Sequence, residues 1–428
     1  MRMTPIMTTS NKAGPSNIHT HIPGFPRIGA ARELKFALEA HWRGELDDAG
    51  LEAVGRELRA RHWALQERAG LDFVSVGDFA FYDQVANHVQ LFGCEPARYG
   101  FDPRQSRLSR YFAMARGTGN GDGNKQAAGH LGAPSCCGRD HAPDGDAHAT
   151  AALEMTKWFD TNYHYLVPEF NAETEFSLAC ERLFDEVAEA QALGHTVKAV
   201  LLGPLSFLWL GKEKAGNAVD TGFNRLDLLD KLLPVYGAAL DRLKAQGVQW
   251  VQIDEPILGL DLPAPWRGAF ETTYWQLNQV GVPLLLATYF SPLEENLSLA
   301  CRLPVAGLHV DGVRAAHELT SIADWLPVHK VLSVGIVDGR NVWRTDLDAA
   351  LAVLAPIVDK RAGKLWLSSS CSLLHVPFTL AAETALDGEI KSWLAFATEK
   401  PDELHLLKQA LQGRHDGDAD GAAALSPA

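Results

Sequence analysis

Short apolar runs recur along this chain, and amphipathic helical stretches separate them. The runs are Phe73–Val76, Ala199–Leu202, Trp250–Ile253, Leu284–Ala287, Gly307–Val310, Val331–Val337 and Leu365–Leu367, with a weaker eighth near Ile22. Several are nearly continuous in Val, Ile and Leu, as in parallel strands covered on both faces. Between them, Leu51 to Gln66 and Ala179 to Leu193 carry apolar residues at three-to-four spacing, and Leu193-Gly194 supplies a helix stop. Eight strands alternating with helices over 428 residues predict a (β/α)8 TIM-type barrel of the α/β class. A doubly wound open sheet is the alternative. It lacks support in its nucleotide-binding forms, because no GxGxxG or GxxxxGK[ST] follows any strand.

The barrel is expected over residues 21–412, after a disordered polar lead at 1–20 and before a flexible small, acidic tail at 413–428. A Gly-, Asp-, Pro- and His-rich stretch at 117–150 reads as a flexible insertion. It holds Cys136, Cys137, His130, His141 and His148, but adjacent cysteines without a second pair do not follow zinc-site spacing. The net charge of −14 disfavours nucleic acid and anionic membranes as partners. No apolar window reaches the roughly 18 residues of a membrane span, and the N-terminus lacks the apolar centre of a secretory signal. Six sparse cysteines fit reduced thiols, so a cytoplasmic location is expected.

A barrel of this kind works at the C-terminal ends of its strands. The expected strands there run into Gly77-Asp78, Gly203-Pro204, Asp254-Glu255-Pro256, Thr288-Tyr289-Phe290, Asp311, Asp338-Gly339-Arg340-Asn341 and Ser368-Ser369-Ser370-Cys371. Asp254 and Glu255 are consecutive strand residues and are expected on opposite faces. Asp78 and Asp254 could instead form a carboxylate pair of the kind hydrolases use, which spacing alone does not test. An anion could be held by Arg32-Glu33-Leu34-Lys35, where Leu34, Leu38 and Trp42 mark a helix start and Arg32 and Lys35 share a face. Lys157 is a second candidate.

Several stretches resemble one family. Gly24-Phe25-Pro26-Arg27-Ile28-Gly29 with Arg32-Glu33-Leu34-Lys35 is similar to the start of the cobalamin-independent methionine synthases (5-methyltetrahydropteroyltriglutamate–homocysteine methyltransferases). So are Gly55 to Trp63, Glu154-Met155-Thr156-Lys157-Trp158-Phe159, Asn162-Tyr163-His164-Tyr165, Trp250 to Pro256, Gly339 to Arg344 and Ser369 to His375. The resemblance runs from about Gly24 to Gln412 and is to the N-terminal half of the family enzyme.

It implies two face-to-face barrels in the full enzyme, with a methyl group moving from a folate to homocysteine sulfur. It implies no cobalamin. It implies zinc, which makes a thiol nucleophilic, on ligands of the second barrel. The stretches here that correspond to those ligands are Thr288-Tyr289-Phe290, Asp311 and Ser370-Cys371-Ser372, so no metal site and no catalytic residue are expected on this chain. To this half the resemblance assigns the tail of 5-methyltetrahydropteroyltri-glutamate, at Arg32, Glu33, Leu34, Lys35 and Lys157. Methyl transfer is therefore expected to require a zinc-bearing C-terminal barrel, for which a separate chain is the candidate partner. A non-catalytic folate-binding or interaction module is the alternative.

Overall fold

The computed structural model describes residues 18–118, 149–214, 222–361 and 363–416. Eight parallel strands form one sheet: β1 (His19–His21), β2 (Val74–Val76), β3 (Val197–Leu202), β4 (Trp250–Asp254), β5 (Leu284–Ala287), β6 (Gly307–Asp311), β7 (Val331–Val337) and β8 (Leu365–Ser369). Their order around the sheet is β1-β8-β7-β6-β5-β4-β3-β2, a nearly closed barrel in sequence order. Two of the expected runs match their strands end to end, Leu284–Ala287 and Val331–Val337. The others differ by one or two residues, and the weak run near Ile22 becomes β1, just ahead of it.

The seam between β1 and β2 carries no ladder and is closed by other hydrogen bonds, among them one from the Thr20 hydroxyl to the Asp72 carboxylate at 3.0 Å. The Asp72 N–H donates to the Thr20 carbonyl at 2.9 Å. The Thr20 N–H donates to the Asp72 carboxylate at 2.6 Å, and the Ser75 hydroxyl to the Ile22 carbonyl at 2.6 Å. Lys408, on the last helix (Lys400–Asp416), also holds Asp72, at 2.8 Å. Hydrogen bonds from His19 and Lys408 hold this carboxyl below its ordinary range against the opposing effect of burial. A depressed folded value stabilises above the ordinary carboxylate range and is lost as pH falls through it. Asp72→Ala is expected to cost about 2–3 kcal/mol at neutral pH, since it removes charged hydrogen bonds from two N- and O-linked donors and a lysine. Denaturant unfolding should show that cost shrinking towards about pH 2; a cost independent of pH would refute it.

Helix α1 (Glu33–Trp42) buries Leu34, Ala37 and Leu38, close to the expected stripe, with Arg32 at its N-cap in the left-handed region (φ 60°). Helix α2 (Asp48–Arg68) starts on Asp47, whose side chain accepts the Gly50 N–H. It overlaps the expected Leu51–Gln66. Between β2 and β3 an antiparallel hairpin pairs Met155–Lys157 with His164–Leu166. The expected insertion falls largely at 119–148, outside the described residues, as do Cys136, Cys137, His130, His141 and His148. Its stems are joined where Thr118 pairs with Thr150. The last helix runs through Asp416, beyond the boundary expected at Gly413. No helix among the described residues is long and apolar enough to cross a membrane.

Phe73, Trp250, Leu285, Val331 and Trp366 plug the N-terminal end of the barrel, with Phe73 stacked on Trp366 at 5.0 Å between ring centroids. Next to that plug the interior turns polar. His21 packs against Trp366, and His21, Lys198, Gln252, His309 and Ser333 are all fully buried.

Candidate functional site

A parallel strand points alternate side chains into the barrel. Gln252 and Asp254 therefore share the inner face of β4, and a buried relay runs through them. The Lys198 ammonium donates to the Gln252 carbonyl oxygen. That fixes the amide, whose nitrogen donates to Asp254 at 2.7 Å and to the Pro23 carbonyl at 3.2 Å. The Tyr289 hydroxyl donates to the other Asp254 oxygen at 3.1 Å. Burial pushes the Asp254 carboxyl up and the Lys198 ammonium down. Beside this relay Ser333 joins two buried histidines, His21 at 2.7 Å and His309 at 2.9 Å. Burial holds both rings below their ordinary value, which keeps them neutral.

Glu255 points elsewhere, as expected for the next residue. It accepts the N–H groups of Leu205 and Ser206, at the start of the helix Pro204–Leu210, and the hydroxyl of Tyr274. Gly203 is required there, because a Cβ would lie 2.2 Å from the Glu255 carboxyl.

The relay opens into a cleft at the C-terminal end of the strands. Asp78 and Asp254 both line it, so the structure brings together the two carboxylates that spacing could not place. Trp158, Tyr163, Tyr289, Phe290 and His375 supply ring walls. Asp78 accepts the Phe25 N–H at 2.7 Å, and burial pushes its carboxyl up to about 6. Gly24 must lack a side chain to pass this point, since its Cβ would meet the Ser372 hydroxyl at 2.7 Å. Phe290 is held at φ 78°, a strained conformation for a non-glycine residue. Its N–H donates to Asp311.

The stretches that stood out in the sequence meet around this cleft. Arg27 donates to the Tyr163 hydroxyl at 3.3 Å, and that hydroxyl donates to Asp83 at 2.9 Å. Asp83 also caps the helix Gln84–Leu91 and takes the Leu166 N–H. This chain of bonds pins the hairpin bearing Lys157 to the segment leading into α1. Arg340 reaches the Asp160 carbonyl at the hairpin tip and lies over the Phe290 ring, 5.3 Å from its centroid.

The expected anion-binding residues divide. Arg32 and Lys157 are exposed, and neither side chain has a hydrogen bond or ion pair among the described residues; their backbones are bonded, Arg32 to Gly29 and Lys157 within the hairpin. Lys35 is 3.8 Å from Glu39. Glu33 is already engaged, accepting from Arg61 at 2.7 Å and from the Ala31 N–H at 3.0 Å. The Leu34 side chain is buried and its N–H donates to the Ile28 carbonyl. No bond joins this turn directly to Lys157 among the described residues.

The stretches corresponding to the family's zinc ligands do not fit a metal. Tyr289 and Phe290 offer aromatic side chains. Asp311 is taken up by three backbone N–H groups, from Phe290, Val313 and Arg314. Cys371 is buried, with its thiol turned to the Ser372 carbonyl at 3.6 Å, and no second cysteine or histidine forms a ligand group with it among the described residues. Lys198, Gln252, His21, His309 and Tyr289 were not foreseen as site residues. For Lys198, Gln252 and His309 the signal was a polar residue inside an apolar strand, as in Val197-Lys198-Ala199-Val200.

The family model described as the N-terminal domain of the cobalamin-independent synthase matches residues 19–362. Among solved structures, a B12-independent methionine synthase from Shewanella sp. W3-18-1 in complex with selenomethionine is similar, with a TM-score of 0.53 and 13% identity over 84% of this chain and 88% of that one. A Listeria monocytogenes protein described as a vitamin-B12 independent methionine synthase aligns with a TM-score of 0.55 and 14% identity, over 94% of this chain and 100% of that one. At those identities the likeness concerns the fold.

Proposed function

Since the chain belongs to the family of the cobalamin-independent synthase N-terminal domain, we propose that it holds the polyglutamate tail of 5-methyltetrahydropteroyltri-glutamate for methyl transfer to homocysteine. One observation carries this reading. The hydrogen-bonded link Arg27–Tyr163–Asp83 ties together the two segments that bear exposed, unpaired cations, Arg32 and Lys157. On a chain of net charge −14, such cations at the barrel rim give a polyanionic tail a place to land. Lys35 joins them. Glu33 orients the turn through Arg61, and Leu34 anchors it in the core.

Thiol activation by zinc belongs, in this reading, to a separate C-terminal barrel. The donor chemistry at Tyr289, Phe290, Asp311 and Cys371 supports that assignment, and so do apolar side chains left exposed on segments that follow the strands. Among these, Phe36, Trp343 and Trp393 are each more than half exposed. A partner burying them would remove an apolar face from water.

Calorimetric titration with the triglutamate and the monoglutamate of 5-methyltetrahydrofolate tests the proposal. The triglutamate should bind more tightly at low salt, and the preference should fade as salt rises. Lys157→Ala and Arg32→Ala should each weaken triglutamate binding by about 3- to 10-fold, as for one charge-assisted contact, and leave the monoglutamate unchanged. Equal affinity for the two ligands, or no binding of either, would overturn it. Methionine formation on mixing with a zinc-loaded C-terminal barrel separates the enzyme from a non-catalytic folate-binding module.

A further inference from the structure

We propose that the cleft at the barrel mouth is a binding site for a small protonated amine, its ammonium seated on Asp78 and Asp254 and its carbon skeleton against Trp158, Tyr163 and Phe290. The inference uses neither Arg32 nor Lys157 and does not rest on the folate reading.

The cleft lies at the barrel mouth, with Asp78, Asp254, Trp158, Tyr163, Phe290 and His375 converging on it. Its polar groups are of one sign. Two carboxylates line it, and the one lining side chain able to carry a positive charge, His375, is kept neutral by burial, which pushes it down to about 4. Lys198 lies beneath and supplies one positive charge against two negative ones. Arg340, which lies over the outer wall ring Phe290, is paired with Asp160, so with both carboxylates ionised one of them has no cation among the lining residues. Asp78 accepts the Phe25 N–H, and no side chain among the described residues donates to this carboxylate.

The walls meet the same requirement independently. Phe290 packs against Tyr289 at 4.6 Å and against His375 at 5.5 Å between ring centroids, and Tyr163 closes on His375 at 6.3 Å. Aromatic faces attract an ammonium and shed water from its alkyl part. An anion finds no cation among the lining residues. A divalent metal would want six or more oxygen ligands, and no group of three metal-ligating side chains occurs among the described residues.

The test is calorimetric titration of the full chain with n-butylammonium chloride, against sodium chloride and 1-butanol as controls, at about pH 8 where the carboxylates ionise. The amine should bind with a dissociation constant of about 1 mM or tighter, and neither control should compete. Near neutral pH the heat should vary with the ionisation enthalpy of the buffer, because seating the ammonium expels protons held by Asp78 and Asp254. Asp78→Asn and Asp254→Asn, checked for folding by circular dichroism, should each weaken binding at least about tenfold. Trp158→Leu, which keeps both carboxylates, should weaken it by about threefold or more. Lys157→Ala should leave amine binding intact, which separates this site from the folate reading. Butanol binding as well as butylammonium, or binding that survives both Asp→Asn changes, would overturn the proposal.

Discussion

Glu255→Ala should destabilise the fold by about 3–5 kcal/mol, the range for removing one partner of a buried charged network. Glu255 is fully buried. Its loss leaves the N–H groups of Leu205 and Ser206 and the Tyr274 hydroxyl without their acceptor. The helix Pro204–Leu210 has no other side-chain cap, so the link between the end of β3 and the end of β4 fails together with the cap. Glu255→Gln keeps one carbonyl oxygen but turns an NH₂ towards one of the donors, and should cost about 1–3 kcal/mol.

The pH dependence separates this from a generic core defect. Burial pushes the Glu255 carboxyl up to about 7, against its hydrogen bonds to Ser206, Tyr274 and Leu205. A carboxyl whose folded value lies above its unfolded value gives its full contribution below the unfolded value and loses it as pH rises through the folded one. The penalty of either substitution should therefore be larger at about pH 5 than at about pH 8. Urea unfolding of the three proteins at both pH values measures it. A loss below about 1 kcal/mol, or one that grows with pH, would show that Glu255 is not the group that joins these elements.

Glu255 also shows what the sequence can and cannot convey. The strand Trp250–Asp254 was legible as an apolar run, and strand alternation correctly sent Asp254 and Glu255 to different faces. The partners of each were not legible, because Ser206, Tyr274, Tyr289 and Lys198 come from other strands and helices and meet them only through barrel closure. The cleft was half visible for the same reason. Asp78 and Asp254 could be named as residues at strand ends, but their sharing one cavity is a fact of curvature and stagger between β2 and β4. His309 was passed over because an apolar run was read as continuous across it, and Lys198 because the expected run started one residue later, at Ala199. A charged or polar residue at an inward position of such a run is itself the signal, since burying it costs several kcal/mol unless the interior supplies a partner. The hairpin around Lys157 was invisible to periodicity. Its strands are three residues each, too short to show alternation, and what holds them is Tyr163 on Asp83, a contact 80 residues apart in sequence.

Lys198→Met is the substitution that reads the cleft's internal charge directly, and its effect should change with pH in a way no packing defect would. Methionine fits the volume of the lysine stem and removes the ammonium. Under mildly acidic conditions Asp254 is largely protonated, because burial pushes its carboxyl up. The wild-type interior then carries Lys198 without a negative partner, a state that burial disfavours. Replacing it with an apolar side chain should be neutral or stabilising at about pH 5. At mildly alkaline pH Asp254 ionises and relies on Lys198, both through the charge and through Gln252, whose carbonyl oxygen the ammonium holds. Without it the carboxylate is buried alone and the amide is free to turn its oxygen towards Asp254. The variant should then be about 3 kcal/mol less stable than wild type at about pH 8. It should retain the Asp254 proton to a higher pH, visible as an upward displacement of the carboxyl carbon titration in an NMR series. A stability difference that stays constant between the two pH values, or an Asp254 titration that does not move, would mean that Lys198 and Asp254 do not share charge across the barrel.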